Sequence, residues 1–373
     1  MVAAKEQGQR QRLLFVVVSF GLLFRITLLP AGLRDDIDLI DGLKDDLTGR
    51  YVTYRTFLLY DQDVWRCLWE GYVLTQGLNP YRLAPASEVL DDLPELDPSR
   101  EEVWSEIRDR VGYPSIPALY PPLAQFLFAL SNASVPGSVL GWKLWTVVLE
   151  LAACIFVALA ARKLGQALAP VLLLFLWNPL MVKEFAGSGH FDALVVLCLS
   201  LLVYFVVSGW TLRAYAALAL ATLSKLVPAL TIIFLSPLFW GFALFAGLVG
   251  AGFLPFSEAL PKLVGTGETF TEHWRFNSGF YRILNWVFGE ASIVGYLVLL
   301  TVLGILLRSR LRNVHDSLEG ILWLLGLAIV LGPVVHAWYV TWLIPLACLT
   351  RSRTWISFSA VVYLNLFWSC WMA

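Results

Sequence analysis

The residues best suited to chemistry lie in one polar stretch, YDQDVWRCLWEGYVLTQGLNPYRLAP, at residues 60–85. Read as a helix, it spaces Asp63, Arg66 and Glu70 at i, i+3 and i+7, so these side chains share one face. A neighbouring apolar stripe consists of Trp65, Trp69, Tyr72 and Val73. The pattern predicts a helix in the membrane interface with its acidic side toward water, although a solvated face of an ordinary amphipathic helix has the same pattern. A carboxylate at such a surface can deprotonate a hydroxyl group.

Further polar groups interrupt apolar runs. Lys225, in LATLSKLVPAL, is a lone cation. It predicts either a side chain that reaches back to the interface or one that binds a buried phosphate. His190 and Asp192 lie in GSGHFD, between two apolar runs. That segment predicts either a polar turn with Asp192 near a helix N-terminus or a functional site, because ionisable groups are costly inside a membrane.

A later polar region combines aromatic and basic side chains. His273 and Asn277 belong to HWRFN, Arg282 follows, and His336 begins HAWY at a junction between apolar runs. For His336, a place in the interfacial aromatic belt is the alternative to a site. The histidines are far apart and show no i, i+4 pair, so the sequence predicts no metal site built from histidines. A requirement for a divalent cation stays open. No cofactor is predicted.

The composition is that of a polytopic membrane protein. Hydrophobic residues make up 58% of the 373, and the mean hydropathy is +0.70. The 16 tryptophans and 13 tyrosines suit aromatic belts at the membrane surfaces. The five cysteines are scattered without CxxC spacing, so no disulfide framework is predicted. The net charge of −1 gives no indication of nucleic-acid binding.

The apolar runs predict an all-α, polytopic transmembrane bundle of about eleven spans, forming a single domain over residues 1–373. The first run, residues 13–31, contains Arg25, which should face protein or water rather than lipid. The run at 212–239 is long, and Pro228 is expected to break it. Two polar segments, residues 32–116 and 257–290, separate the runs and are predicted as loops, the first with interfacial helices.

The charge distribution predicts which side these loops occupy. Residues 32–116 hold 18 of the 28 acidic residues, whereas basic residues precede the first run and lie around Arg310 and Arg351. Basic loops are typically cytoplasmic. The two long loops and His336 are therefore expected on the outer side of the cell membrane. Arg162, Lys163 and Arg213 then fall outside, against the rule, so the middle of the topology stays open.

Several motifs resemble those of a known enzyme family. The segments are DVWR at 63–66, LWEG at 68–71, GLNPYRLAP at 77–85, YPPLAQ at 120–125, WNPL at 177–180 and GSGHFD at 187–192. They are similar to motifs of the bacterial GT-C glycosyltransferases, the polyprenol-phosphate-sugar-dependent, mannosyltransferase-like enzymes related to glycosyltransferase family 87. Two positions depart from the family pattern: Cys67 replaces an aromatic residue, and Glu70 replaces the more usual Asp.

The resemblance implies a GT-C fold and an inverting transferase whose active site opens on the outer face. It implies a sugar donor on a polyprenyl phosphate and a glycan, lipid or protein acceptor. It also implies that an acidic residue of the first loop is the base. That role is carried to Asp63, with Asp61 second and Asp35 and Asp36 as further candidates. Donor-phosphate or substrate binding is assigned to Lys225, Arg282, His336, Arg66, Glu70, Tyr81, His190, Asp192, His273 and Asn277.

Two other functions use the same residue types. A transporter or flippase of lipid-linked sugars could carry these charges, but transporters of the common repeat type show two similar halves. No second copy of the pattern at residues 63–85 occurs in the sequence, which favours the enzyme. A catalytically inactive subunit that keeps the fold is the third hypothesis.

Overall fold

The computed structural model describes residues 2–30 and 63–362, with the backbone alone for residues 2–6, 264 and 268–273. Within this part of the chain the regular secondary structure is helical, and one isolated β-bridge joins Phe276 to Val334. The predicted all-α class is confirmed. Asp35, Asp36 and Asp61 lie outside the described residues.

The helices of the first half surround the predicted site. They are α1 Val2–Leu28, α2 Asp63–Thr75, α3 Glu101–Asp109, α4 Pro122–Ser134, α5 Val139–Lys163, α6 Leu168–Leu176 and α7 Pro179–Val182. A π-helical turn, Lys183–Gly187, follows α7. Local chemistry fixes several of these ends. The Ser138 hydroxyl caps α5 by accepting from the Gly141 amide at 2.9 Å, and Pro179 begins α7, where its missing N–H costs nothing.

The helices of the second half complete the bundle. They are α8 Asp192–Val207, α9 Thr211–Ser224, α10 Phe239–Phe253, α11 Leu260–His273, α12 Gly279–Phe288, α13 Ser292–Arg308, α14 Val314–Leu331, α15 Ala337–Val340, α16 Ile344–Thr350 and α17 Arg353–Val361. Residues 257–290, predicted as a loop, thus contain α11 and α12. A capping box of Asn313 and Asp316 begins α14.

Several described helices are long and apolar enough to cross a membrane. By length and composition they are Gln7–Leu28, Val139–Lys163, Phe239–Leu263, Gly279–Arg308 and Val314–Leu331. A sixth candidate is the pair Leu168–Leu176 and Pro179–Gly187, which is bent by 49°. The chain is therefore a multi-pass membrane protein. The count of about eleven spans remains a prediction, because α8 and other apolar helices are shorter than a full span.

The apolar run at residues 212–239 is broken at Lys225. Helix α9 ends at Ser224, Lys225 is extended with φ −151° and ψ 143°, and a 3₁₀ segment, Val227–Phe234, follows. Pro228 explains the position of the break. It has no N–H to donate to the Ser224 carbonyl, and its ring would clash with that carbonyl in a continuous helix. The predicted break is confirmed, and it gives Lys225 a backbone outside the helix.

Helix α8 is the centre of the bundle. It packs between α5 and α9, and most of its side chains are buried. The short connection between α8 and α9 makes the two helices antiparallel neighbours. Asp192 at the start of α8 and Lys225 just beyond the end of α9 therefore lie at the same end of the bundle.

Helix α2 lies directly against α4 at Gly71. A Cβ atom placed on Gly71 would lie 2.4 Å from the Phe128 carbonyl oxygen, which is well inside van der Waals contact. The absence of a side chain therefore allows the two backbones to touch. This contact fixes the distance between the helix that begins with Asp63 and the rest of the bundle.

Arg25 faces protein, as the sequence predicts. Its side chain is 1% exposed, and its Nε donates to Glu150 Oε2 at 2.7 Å. Its Nη1 also donates to the Leu176 carbonyl at 2.9 Å. A buried charge of this kind is tolerated only when it is paired and hydrogen-bonded, and Glu150 on α5 supplies that pairing.

Candidate active site

One cavity of about 430 Å³ lies where α2, the segment before α4, α11 and the segment around α15 meet. Its lining is rich in polar and aromatic side chains: Asp63, Arg66, Tyr113, Tyr120, Thr266, Trp274, His336, Trp338 and Tyr339, with Gly112, Ile116, Pro117 and Leu119. These residues come from chain segments more than 200 positions apart. The cavity has the size of a small-molecule site.

Among the described residues that line this cavity, Asp63 is the one carboxylate. It is the first residue of α2, where the helix dipole favours a negative charge. The Tyr120 hydroxyl donates to Asp63 Oδ2 at 3.2 Å and so helps to hold the carboxylate. Asp63 is only half-buried, so it can contact a molecule in the cavity. This position suits the predicted role as a base.

Arg66 lines the cavity and also holds the backbone of its wall. Its Nη2 donates to the carbonyls of Gly112 at 2.8 Å and Tyr113 at 2.9 Å, and its Nη1 donates to that of Ile116 at 3.1 Å. Nη1 also reaches Glu70 Oε1 at 3.0 Å. Arg66 therefore anchors the cavity wall at residues 112–116.

Glu70 lies behind this anchor and outside the cavity. It is 2% exposed and accepts from Gln125 Nε2 at 2.6 Å as well as from Arg66. Burial raises the pKa of Glu70 above its ordinary value, although the charge of Arg66 opposes the shift. Its partners make Glu70 a residue that links α2 to α4, which is why a longer carboxylate than Asp is accommodated there.

Lys225 and Asp192 form a buried ion pair next to the cavity. The Lys225 Nζ lies 3.2 Å from Asp192 Oδ1, which also accepts from Trp342 Nε1 at 2.7 Å. Rings surround the ammonium group, with centroids 4.3–5.5 Å away: Tyr339, Phe191, Trp342 and Tyr120. Cation–π attraction and the ion pair together offset the cost of burying the charge. Two of these rings, Tyr120 and Tyr339, also line the cavity, so Lys225 lies behind its wall.

A stack of four rings runs inward from the cavity. Phe276 stacks on His336 with centroids 4.5 Å apart, His336 on Trp338 at 4.0 Å, and Trp338 on His190 at 4.1 Å. At the inner end, His190 Nδ1 lies 2.8 Å from Glu184 Oε2. His336 and Trp338 line the cavity, whereas His190 is 3% exposed. His336 is thus the histidine placed to contact a ligand, and His190 supports the stack.

Of the remaining predicted residues, some support the site from behind and others lie away from it. Asn277 has a φ of +51° and donates to the Val335 carbonyl at 3.2 Å, which holds Phe276 beside His336. Tyr81 is buried and donates to the Tyr120 carbonyl at 2.6 Å. Arg282 is exposed on α12 and does not line the cavity. The side chain of His273 lies outside the described residues.

Sequence reasoning missed Tyr113, Trp274 and Trp342 as site residues. Tyr113 is 59% exposed with a φ of +55°, and its ring meets Trp274 edge-on at 4.1 Å. Nothing in their local sequence distinguishes these rings from belt aromatics. Tyr120, the first residue of YPPLAQ, stood in a recognised motif without an assigned role. Within the part of the chain whose side chains are described, no three His, Cys, Asp or Glu residues come together in a group that could hold a metal ion.

Comparison with known families gives two matches. Residues 56–241 match the N-terminal domain of the alpha-(1→6)-mannopyranosyltransferase family MptA/MptB. Residues 276–372 match the MptB C-terminal domain. Together the two matches span about three quarters of the chain, and the first includes Asp63, Tyr120, Asp192 and Lys225. No curated protein matches the chain.

Proposed function

Because this chain belongs to the alpha-(1→6)-mannopyranosyltransferase family, we propose that it moves a mannosyl group from a polyprenyl phosphate to an acceptor hydroxyl, with inversion at the anomeric carbon. The family supports mannosyl transfer by a membrane glycosyltransferase. The observation that carries the finer proposal is Asp63, a carboxylate held by Tyr120 on the wall of a cavity of about 430 Å³.

The reaction is a single displacement. Asp63 takes the proton of the acceptor hydroxyl while the acceptor oxygen attacks the anomeric carbon of the donor. The bond from that carbon to the phosphate oxygen breaks, and the polyprenyl phosphate leaves with the electron pair. Attack opposite the leaving group inverts the configuration. General-base help of this kind typically contributes about 10²–10⁴ in rate.

The donor phosphate binds on the side of His336 and Lys225. His336 lies between Phe276 and Trp338 at the cavity, where a ring N–H can donate a hydrogen bond to a phosphate oxygen. Lys225 lies behind Tyr120 and Tyr339 and is paired with Asp192. Its ammonium group can therefore attract the phosphate only if it leaves Asp192 or contacts both anions at once. Charge-assisted hydrogen bonds to a phosphate are stronger than neutral ones, which suits the departure of an anion.

The acceptor sugar packs against Tyr113 and Trp274. Both rings line the cavity, and that of Tyr113 is exposed. Arg66 donates to the Tyr113 carbonyl and so fixes the backbone that carries this ring. Exposed aromatic faces offer apolar area at low entropic cost. A left-handed backbone at a residue other than glycine is uncommon, and such strain concentrates at functional positions.

The site opens on the non-cytoplasmic face of the cell membrane. Supporting this side are the acidic character of residues 32–116 and the basic loops around Arg310 and Arg351. Both the lipid-linked donor and the acceptor would then be on the outer face.

The test is transfer by the purified chain, reconstituted in liposomes with radiolabelled polyprenyl-phosphate mannose and a membrane extract as acceptor source. We expect labelled product from the wild type and none from Asp63→Asn, with donor binding retained. Asp92→Asn is the matched control, since Asp92 is exposed and does not line the cavity. Transport of the donor without cleavage would indicate a flippase. An inactive wild type that binds donor would indicate a non-catalytic subunit.

A further inference from the structure

A second cavity, of about 450 Å³, lies at the opposite end of the helices that carry the first. Helix α8 begins at Asp192, beside the first cavity, and its last turn contributes Phe205 and Val206 to the second. Helix α9 begins at Thr211, which lines the second cavity, and ends just before Lys225. The 16 residues of α8 rise about 24 Å, so nearly the thickness of a bilayer core separates the two cavities.

The second cavity carries positive charge. Arg308 and Arg312 line it, and no carboxylate is among its described lining residues. Arg308 Nη1 donates a long hydrogen bond, of 3.4 Å, to the Leu235 carbonyl. The nearby Asp316 is not among the residues that line the cavity, and its Oδ2 accepts from the backbone amides of Arg312 at 2.7 Å and Asn313 at 3.1 Å. Two guanidinium groups therefore face the cavity in excess of negative charge.

The remaining lining combines polar and apolar side chains. The hydroxyl residues Thr211, Ser236 and Ser317 line the cavity together with the arginines, and so do Phe205, Val206 and Phe234. A lining that offers both cations and apolar surface fits a molecule that carries an anionic group and hydrocarbon. An inorganic anion would leave the apolar part of the lining unused.

The cavity also lies at the level where apolar spans end. Arg308 is the last residue of the candidate span Gly279–Arg308, and Val314 is the first of Val314–Leu331. Basic residues at this level meet phospholipid head groups. The position, the charge and the mixed lining of the cavity thus agree with one another.

We propose that this cavity binds a phosphate-bearing anion between Arg308 and Arg312, and that the anion is the head group of an anionic phospholipid. The apolar residues of the lining receive the start of an acyl chain. The site is separate from the proposed mannosyl transfer and does not depend on it. Guanidinium groups suit it, since their fork geometry matches phosphate oxygens.

The experiment measures thermal unfolding of the full chain in detergent during titration with dioctanoyl phosphatidylglycerol, dioctanoyl phosphatidylcholine or inorganic phosphate. A ligand that binds only the folded state raises Tm with its concentration, which gives an apparent Kd. We expect phosphatidylglycerol to raise Tm more than either other ligand. Arg308→Gln/Arg312→Gln should weaken its binding about ten- to hundredfold. The control Arg310→Gln/Arg353→Gln removes the same charge from exposed positions outside the cavity and should bind as the wild type does.

A second cavity variant keeps the test informative if the double variant does not fold. Ser317→Glu puts a carboxylate into the cavity within the first turns of α14, where the helix dipole favours it. It should fold and should lose phosphatidylglycerol binding. A response to inorganic phosphate as large as that to the lipid, lost in both cavity variants, would keep the anion site and assign it to free phosphate. Unchanged lipid binding in the cavity variants, or an equal loss in the Arg310/Arg353 control, would overturn the proposal.

Discussion

Lys225 and Asp192 form an ion pair of 3.2 Å, although 33 residues separate them in the sequence. One member follows the end of α9 and the other begins α8, so the pair joins two antiparallel helices at the cavity. Asp192 is fully buried, and Trp342 donates its second hydrogen bond. The pair is therefore a structural contact, and it also places a buried cation behind the wall of the cavity proposed to bind the donor phosphate.

Separate readouts distinguish these two tasks of Lys225. Lys225→Met leaves Asp192 buried and unpaired, which should lower the free energy of unfolding by about 3–5 kcal/mol. The double variant Lys225→Met/Asp192→Asn removes both charges and should recover much of that loss. If donor binding stays weak in the double variant, Lys225 serves the phosphate. Recovery of binding together with stability would restrict Lys225 to a structural role.

Tyr120→Phe tests the support of the base. The substitution removes the hydroxyl that donates to Asp63 but keeps the ring that packs against Phe191 at 4.4 Å. A hydrogen bond to a charged group contributes about 1.5–3 kcal/mol, so kcat should fall about ten- to hundredfold. The fall should be smaller than that of Asp63→Asn. Turnover equal to the wild type would show that Tyr120 does not act through Asp63.

Arg66→Lys tests the wall of the cavity. A lysine carries the charge but cannot bridge three carbonyls and Glu70 with one ammonium group. Tyr113 should then lose its fixed position, and KM for the acceptor should rise while donor binding stays close to wild type. Tyr113→Ala should reproduce the effect on KM. The control is Arg82→Gln, which breaks only an exposed ion pair with Glu258 and should have little effect.

The raised pKa of Glu70 predicts a dependence of stability on pH. Burial favours the neutral carboxyl, so the contribution of Glu70 is complete below its ordinary pKa and is lost as the pH rises through the raised value in the folded protein. In Glu70→Gln the side chain at position 70 is neutral at every pH, so it makes no pH-dependent contribution to stability. The Tm of the variant minus that of the wild type should therefore increase with pH over that window. A difference that stays flat or decreases would contradict the assignment.

Thiol labelling tests the side on which the loops lie. Asp92 and Arg275 are exposed in the fold, lie outside the candidate spans and belong to the segments expected outside, so a cysteine is introduced at each. An impermeant thiol reagent added to intact cells should label both. Arg310→Cys, on a loop expected inside, should react only after lysis. Protection of either outer position in cells would reverse the topology.

Local patterns predicted the fold class and several positions well. The spacing of Asp63, Arg66 and Glu70 indicated a common helix, and the position of Pro228 indicated a break in a long apolar run. Arg25 was expected to face protein because a guanidinium in lipid is costly. Each of these inferences rests on forces that act within a few residues or between one residue and its solvent.

The pairing of those residues could not be predicted. Arg25 meets Glu150 across 125 positions, and Lys225 meets Asp192 through the antiparallel packing of two helices. The division of work between Asp63, Arg66 and Glu70 depends on the carbonyls of residues 112–116, which the sequence cannot place. Tyr113 and Trp274 are two aromatic residues among many. Their role follows only from the cavity between them.

Because the backbones of α2 and α4 touch at Gly71, the alignment of the site depends on the absence of a side chain at this residue. An alanine there would press its Cβ against the Phe128 carbonyl, and a carbonyl in a helix cannot move aside as a side chain can. Helix α2 would have to tilt or shift outward as a rigid rod, carrying Asp63 and Arg66 with it. A methyl group added two helical turns away from the Asp63 carboxylate would thus displace the site residues on α2. Every polar group of the cavity would still be present, but Asp63 and Arg66 would no longer be aligned with the rest of the site.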